Sequence, residues 1–191
     1  MILEGLMTTV NEDGGVNLSP MGPVVNASMT QFILRPFKTS RTYNNLVRQR
    51  EAVFHVTDDV DMIARSAVGE LRPLPEMEPA GTVTGWVIQG ACRWYELQLH
   101  ALDDQAERAE IVCQVVDQGR LRDFFGFNRA KHAVLEAAIL ATRTEFLPAD
   151  EILADMRRLE TIVAKTAGKS EQCAFEFLDR HIRTALGKGT S

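Results

Sequence analysis

The sequence predicts a chain that is mainly β with helices, an α+β protein. An antiparallel barrel or sandwich over residues 1–125 precedes a helical region over residues 126–191. Three observations carry this expectation. Tyr95, Leu97 and Leu99 alternate with Glu96, Gln98 and His100, and Ile111, Cys113 and Val115 repeat the same period of two, the mark of half-buried strands. After Asn128 the period changes, so that Ala130, Val134, Ala137 and Ala141 fall on one helical face. Turn-forming residues break the first part into short segments, a pattern that suits a barrel better than a doubly wound sheet.

From the N-terminus, residues 2–10, 31–35 and 52–57 are strand candidates. They are separated by turn chemistry at Asn11-Glu12-Asp13-Gly14-Gly15 and at Ser19-Pro20-Met21-Gly22-Pro23. Residues 42–49 predict a short helix. Residues 58–68 predict another, with Thr57 or Asp58 as cap and Asp59 and Asp61 in the first turn, where carboxylates meet the positive end of the helix dipole. Asp58, Asp59 and Asp61 lack a further carboxylate at ligand spacing, so they are assigned to that helix start and not to a metal. Pro73, Pro75 and Pro79 exclude regular structure from residues 71–81. A strand is expected over residues 82–90, with Gly85 and Gly90 marking a bulge or a close backbone approach. The polar residues 103–108 join the two alternating runs into an antiparallel hairpin. Trp86, Trp94 and Tyr95 are expected to pack, and Phe124, Phe125 and Phe127 to fill the core or an interface.

The first C-terminal helix stops near Leu147-Pro148. The next turns Ile152, Met156, Leu159, Val163 and Thr166 inward, with Asp150 as N-cap and Gly168 as stop. The last follows Ser170, with Ala174, Leu178, His181, Ile182 and Ala185 on one face, and ends at Gly187 ahead of a frayed tail over residues 187–191. The short turn between these two predicts an αα-hairpin packed on the barrel or on a partner subunit.

A net charge of −5 argues against broad nucleic-acid or anionic-membrane binding, which calls for a basic face. No apolar run approaches the roughly 18 residues that span a bilayer, and the N-terminus lacks a basic region followed by an apolar one, so a cytoplasmic protein is expected. Cys92, Cys113 and Cys173 show no paired spacing, so neither a disulfide framework nor a zinc site is expected. His55, His100, His132 and His181 are scattered without a nucleophile, and no catalytic residue is assigned.

Against this acidic background, residues 35–46 gather Arg35, Lys38, Arg41, the hydroxyls of Thr39, Ser40 and Thr42, and Asn45 at a helix start. Such a set suits a phosphate: hydroxyls and backbone N–H groups hold its oxygens, cations add charge-assisted bonds, and the helix dipole favours the anion. Asn128, Arg129, Lys131 and His132 form a second polar group at a helix start, read either as a capped, solvated end or as Arg129 or Lys131 reaching an anion.

Two motifs extend this reading. Asn17-Leu18-Ser19-Pro20 followed by Thr42-Tyr43-Asn44-Asn45 resembles the order of motifs in the FMN-binding split-barrel superfamily of flavin reductases. Pro20-Met21-Gly22, Arg35-Pro36-Phe37, residues 40–46, Thr57-Asp58-Asp59 and residues 126–131 resemble more closely the domain-of-unknown-function 447 family within it. The resemblance implies an antiparallel FMN-binding split β-barrel with a C-terminal helical region. It implies a homodimer that holds FMN non-covalently at its interface and exchanges electrons with a small-molecule donor or acceptor. Arg35, Lys38, Thr39, Ser40 and Thr42 become phosphate-side candidates, Asn45 a support for the turn or a cap, and Met21 and Gly22 the border of the isoalloxazine. Asn128 and Lys131 join as candidates from the helical region. A deazaflavin in place of FMN, a non-catalytic FMN carrier or sensor, and a cofactor-free β-barrel interaction protein stay open as alternatives.

Overall fold

Seven antiparallel strands build the first part of the structure, a computed structural model that describes residues 1–188. They are β1 (Gly5–Val10), β2 (Val16–Met21), β3 (Val24–Val25), β4 (Gln31–Leu34), β5 (Glu51–Val56), β8 (Arg93–Asp103) and β9 (Glu110–Arg120). Their order across the sheet is β2-β1-β5-β8-β9-β4-β3. Register shifts between Glu96 and Leu97 and between Leu99 and Ala101 bend the long β8–β9 hairpin, as bulges do, and help curl the sheet. Inside the curl, Phe32 lies 5.3 Å from both Phe54 and Tyr95 by ring centroid, packed with Met7, Leu34, Leu97 and Ile111. Tilted ring pairs of this kind contribute about 1 kcal/mol each beyond the area they bury.

The other face of the sheet carries a small hairpin, β6 (Met77–Pro79) and β7 (Trp86–Ile88). Thr8 Oγ1 donates to Trp86 O at 2.6 Å, and Val53 packs on Val83 and Val87. With the core on one side and this hairpin on the other, all six residues of β1 are buried.

The chain divides into two units, one formed by Met1–Thr57 with Pro73–Phe124 and the other by Asp58–Arg72 with the chain from Phe125 onward. The second unit is helical: α2 (Val60–Ala67), α3 (Arg129–Ala141), α4 (Ala149–Thr166) and α5 (Lys169–Lys188). Its core gathers Val60 and Ala64 of α2, the alanine stripe of α3, Ile152 and Met156 of α4, and Leu178 and Ile182 of α5. Alanines at these positions let the helices approach closely. The linear division at residue 125 assigns α2 to the barrel, whereas the fold puts it among the helices. The αα-hairpin of α4 and α5 likewise packs on α2 and α3 within this unit.

Several local expectations change. Residues 16–21 form a strand through Ser19-Pro20, because β2 is a sheet edge that pairs, among the described residues, with β1 alone, and a proline there sacrifices no ladder bond. Met77–Pro79 is a strand despite its proline for the same reason, in a two-stranded sheet. Of residues 82–90 only Trp86–Ile88 is strand. The α2 cap is Asp59, whose carboxylate accepts from Met62 N, not Thr57 or Asp58. The N-cap position of α4 is Pro148 without a side-chain bond, which leaves Asp150 in the first turn; its C-cap is Ala167 and not Gly168. The last helix begins at Lys169 and runs through Gly187, and residues 189–191 of the proposed tail lie outside the described residues. Phe125 and Phe127 are 84% and 108% exposed in the chain, with Phe124 half-exposed, so none of them fills a core. Cys92 and Cys113 are buried thiols, and burial pushes Cys113 up to about 12, whereas Cys173 is exposed. No helix among the described residues is long and apolar enough to cross a membrane.

Candidate functional site

α1 (Arg41–Gln49) sits between β4 and β5, and the segment leading into it is clamped to the tip of the β8–β9 hairpin. Arg35 pairs with Glu110 at 3.0 Å, and Ala109 N donates to Pro36 O at 3.1 Å. The Arg108 guanidinium lies 3.9 Å over the Phe37 ring. Lys38 Nζ donates to Asp104 O at 2.9 Å and Tyr43 Oη to Asp104 Oδ2 at 3.2 Å. Of the sequence candidates, Arg35 and Lys38 therefore hold the segment in place; each remains exposed, with donors to spare.

The opposite flank of α1 is fixed to β1 and β2 by a buried polar network. Thr42 Oγ1, 4% exposed, accepts from Asn17 Nδ2 at 3.1 Å and shares a 2.8 Å bond with Ser19 Oγ. Asn45 Nδ2 donates to Thr9 Oγ1 at 3.0 Å and to Asn11 Oδ1 at 2.9 Å, and Asn17 Nδ2 also reaches Thr9 Oγ1. Asn45 thus braces the β1–β2 turn and is not the helix cap. Thr9 and Asn11 were not legible as partners, because a threonine inside a strand and an asparagine in a turn give no sign of meeting.

The cap is Ser40, whose Oγ accepts from Tyr43 N at 3.1 Å and keeps its own hydroxyl proton to donate. Asn44 N is taken by Ser40 O, which leaves the N–H groups of Arg41 and Thr42 as the open donors of the helix. Thr39 and Arg41 flank them, exposed and without a partner among the described residues. A rigid helix start with two open N–H groups, a hydroxyl to spare and adjacent cations is chemically a receptor for an anion. Met21, the last residue of β2, is half-buried against the barrel core. Gly22 follows it, and a Cβ there would stand 2.9 Å from the Glu4 carboxylate, the movable end of an exposed side chain.

Asn128 and Lys131 belong to the helical unit. Asn128 caps α3 through Ala130 N and Lys131 N, and its amide donates to Thr166 O at 3.1 Å. Lys131 Nζ donates to Asp58 O at 2.6 Å and pairs with Glu171 at 2.9 Å, and this bond chiefly lowers the Glu171 pKa. Both side chains thus tie helices together.

Two family models match the chain. The N-terminal domain described as a protein of unknown function (DUF447) matches residues 3–122, and its C-terminal counterpart matches residues 128–180. The chain belongs to the DUF447 family. No curated protein gives a significant match. Among solved structures, an FMN-bound DUF447 protein from Methanosarcina mazei is 24% identical, with a TM-score of 0.81 over 94% of each chain. The styrene monooxygenase flavin reductase of Pseudomonas putida S12 is 14% identical, with a TM-score of 0.52 over 63% of this chain and 82% of its own. An FMN-binding protein from Thermus thermophilus is 16% identical, with a TM-score of 0.53 over 62% of this chain and 70% of its own. The curled sheet of this DUF447 chain is accordingly the split-barrel fold.

Proposed function

We propose that this DUF447 chain is a flavoprotein that holds FMN non-covalently by its phosphate at the start of α1, and that it is an oxidoreductase of flavin reductase-like type. One observation carries the reading: two open N–H donors and the unpartnered Thr39 and Arg41 sit at the positive end of a helix clamped on both flanks. The FMN-bound family member from Methanosarcina mazei supports FMN as the occupant. Lys38 and Arg41 would neutralise the phosphate and the Thr39 and Ser40 hydroxyls would bond its oxygens, while Thr42 and Asn45 keep the helix start in place. Met21 and Gly22 would border the ring. FMN supplies hydride and electron chemistry when bound; the chain supplies binding and orientation. As in the resemblance, the flavin would lie at a homodimer interface, with a small-molecule donor or acceptor as the other substrate.

Titration of the purified chain with FMN, followed by quenching of flavin fluorescence, tests the binding. Stoichiometric quenching is expected, and Arg41→Gln should weaken it about tenfold, the worth of one exposed charge-assisted bond. Chain that leaves the fluorescence unquenched refutes the cofactor. Donor-dependent bleaching under anaerobic conditions then tests turnover; binding without bleaching would make the chain a carrier.

A further inference from the structure

Beside the start of α1, Phe37 and Arg108 form an antiparallel bridge between the segment that enters the helix and the tip of the β8–β9 hairpin. The Arg108 guanidinium lies 3.9 Å over the Phe37 ring, and Ala109 N donates to Pro36 O at 3.1 Å, so both backbones are held together. The stack faces water. Phe37 is 44% exposed and Arg108 is exposed as well, without an ion pair among the described residues. The pair therefore presents to solvent a flat, cation-backed surface of the kind on which nucleobases stack.

Its distance from the phosphate receptor is set by a turn. Ser40 N donates to Phe37 O at 2.9 Å, the bond of a β-turn, which keeps the two Cα atoms within about 7 Å. Ser40 is the cap of α1, so the ring stands one turn ahead of the open N–H groups of Arg41 and Thr42. On the other flank Thr42 is bonded to Asn17 and Ser19 of β2, and Ser19 stands two residues before Met21. The border of the flavin ring, the phosphate receptor and the stack thus follow one another across the helix start. FAD carries its parts in that same order: isoalloxazine, phosphates, adenine. Lys38, next to Phe37 in the chain, and Arg108 are the cations on the side where its second phosphate would lie.

We propose that the Phe37–Arg108 pair is a stacking subsite for the adenine of FAD, so that the flavin site takes FAD as well as FMN. This rests on the α1 start being the receptor for the flavin phosphate. Calorimetric titration of the full chain with FMN and with FAD tests it, and FAD is expected to bind at least as tightly as FMN. Phe37→Ala removes the ring, and Arg108→Lys keeps the charge while removing the planar group. Each should lower the ratio of FAD to FMN affinity about tenfold, the worth of one stacked base, whatever it does to FMN itself. Arg41→Gln should weaken both flavins alike and leave the ratio unchanged. A chain that binds neither flavin overturns this proposal together with the phosphate reading. A chain that binds FMN overturns the adenine subsite alone if FAD binds more than tenfold more weakly, or if both substitutions leave the ratio where it was. AMP that binds the FMN-saturated chain as tightly as FAD binds the empty one also overturns it, by assigning the stack to a separate nucleotide.

Discussion

His55 is fully buried between β1 and the β6–β7 hairpin, with Nε2 accepting from Ile88 N at 3.1 Å and Nδ1 3.3 Å from Leu6 O. The first bond puts the proton on Nδ1, so the ring is neutral, and burial lowers its pKa from 6.5 to about 4 against the opposing pull of Leu6 O. The unfolded chain takes up a proton below about 6.5 while the folded chain resists until about 4. Stability contributed by the neutral ring is therefore complete above 6.5 and is lost as pH falls through that window to about 4, by about 3 kcal/mol in all. Urea unfolding of the parent chain and of His55→Gln at about pH 7 and about pH 4.5 checks this. The parent should lose more stability between the two pH values than the variant does, and equal losses would refute it. A histidine between Phe54 and Val56 reads from sequence only as an alternating strand residue; its role exists because the hairpin of residues 77–88 folds back over β5, a long-range event that no local pattern encodes.

At the scale of elements, Glu96 does for the loop before β7 what a cap does for a helix. Its carboxylate is wholly buried in β8 and accepts from Gly81 N, Thr82 N and Val83 N at 2.8, 2.7 and 2.8 Å. Glu96→Gln replaces one acceptor oxygen with an amide that opposes these donors, and should cost about 2 kcal/mol. Amide exchange at residues 81–83 should accelerate in step, and unchanged exchange there would show that the loop is held otherwise. Alternation on β8 predicted Glu96 to face solvent, and it does not, because the small hairpin turns the outer face of the sheet into a second interior. The elements that were legible are those whose signal is local: the β8–β9 alternation, the short helix expected over residues 42–49 and found as α1 from Arg41, and the alanine stripe of α3. β2 was hidden by Pro20, which means a turn in a central strand and is harmless at an edge. Within the site, the basic and hydroxyl residues 35–42 were visible as a run, whereas Asn17, Ser19, Thr9 and Asn11 became its support only through register.

At the scale of the whole molecule, the chain order and the spatial order of the helical unit disagree. α2 is threaded between β5 and β6, yet Val60 and Ala64 pack with α3, α4 and α5, and Lys131 of α3 bonds the Asp58 carbonyl just ahead of α2. Residues 1–124 alone therefore contain all nine strands but leave the α2 apolar face uncovered and Asp58 without its bonds from Lys131 and Phe125 N. A segment that buries its apolar stripe only against missing helices exposes it as a site of association. The fragment is expected to bind a hydrophobic dye and to aggregate at concentrations where the full chain stays dispersed, with the difference measured by light scattering. Restoring the polar face locally, by Val60→Ser with Ala64→Gln in the fragment, should suppress the aggregation; a fragment of residues 1–124 that remains monomeric without these changes would show that α2 has no need of the C-terminal helices. The same threading explains why removal of the Lys131 charge should act beyond its own helix. Lys131→Met leaves Glu171 buried without its cation and frees the α2 start, so urea unfolding followed by helical circular dichroism should report a loss of about 2 kcal/mol, and an unchanged midpoint would refute the link.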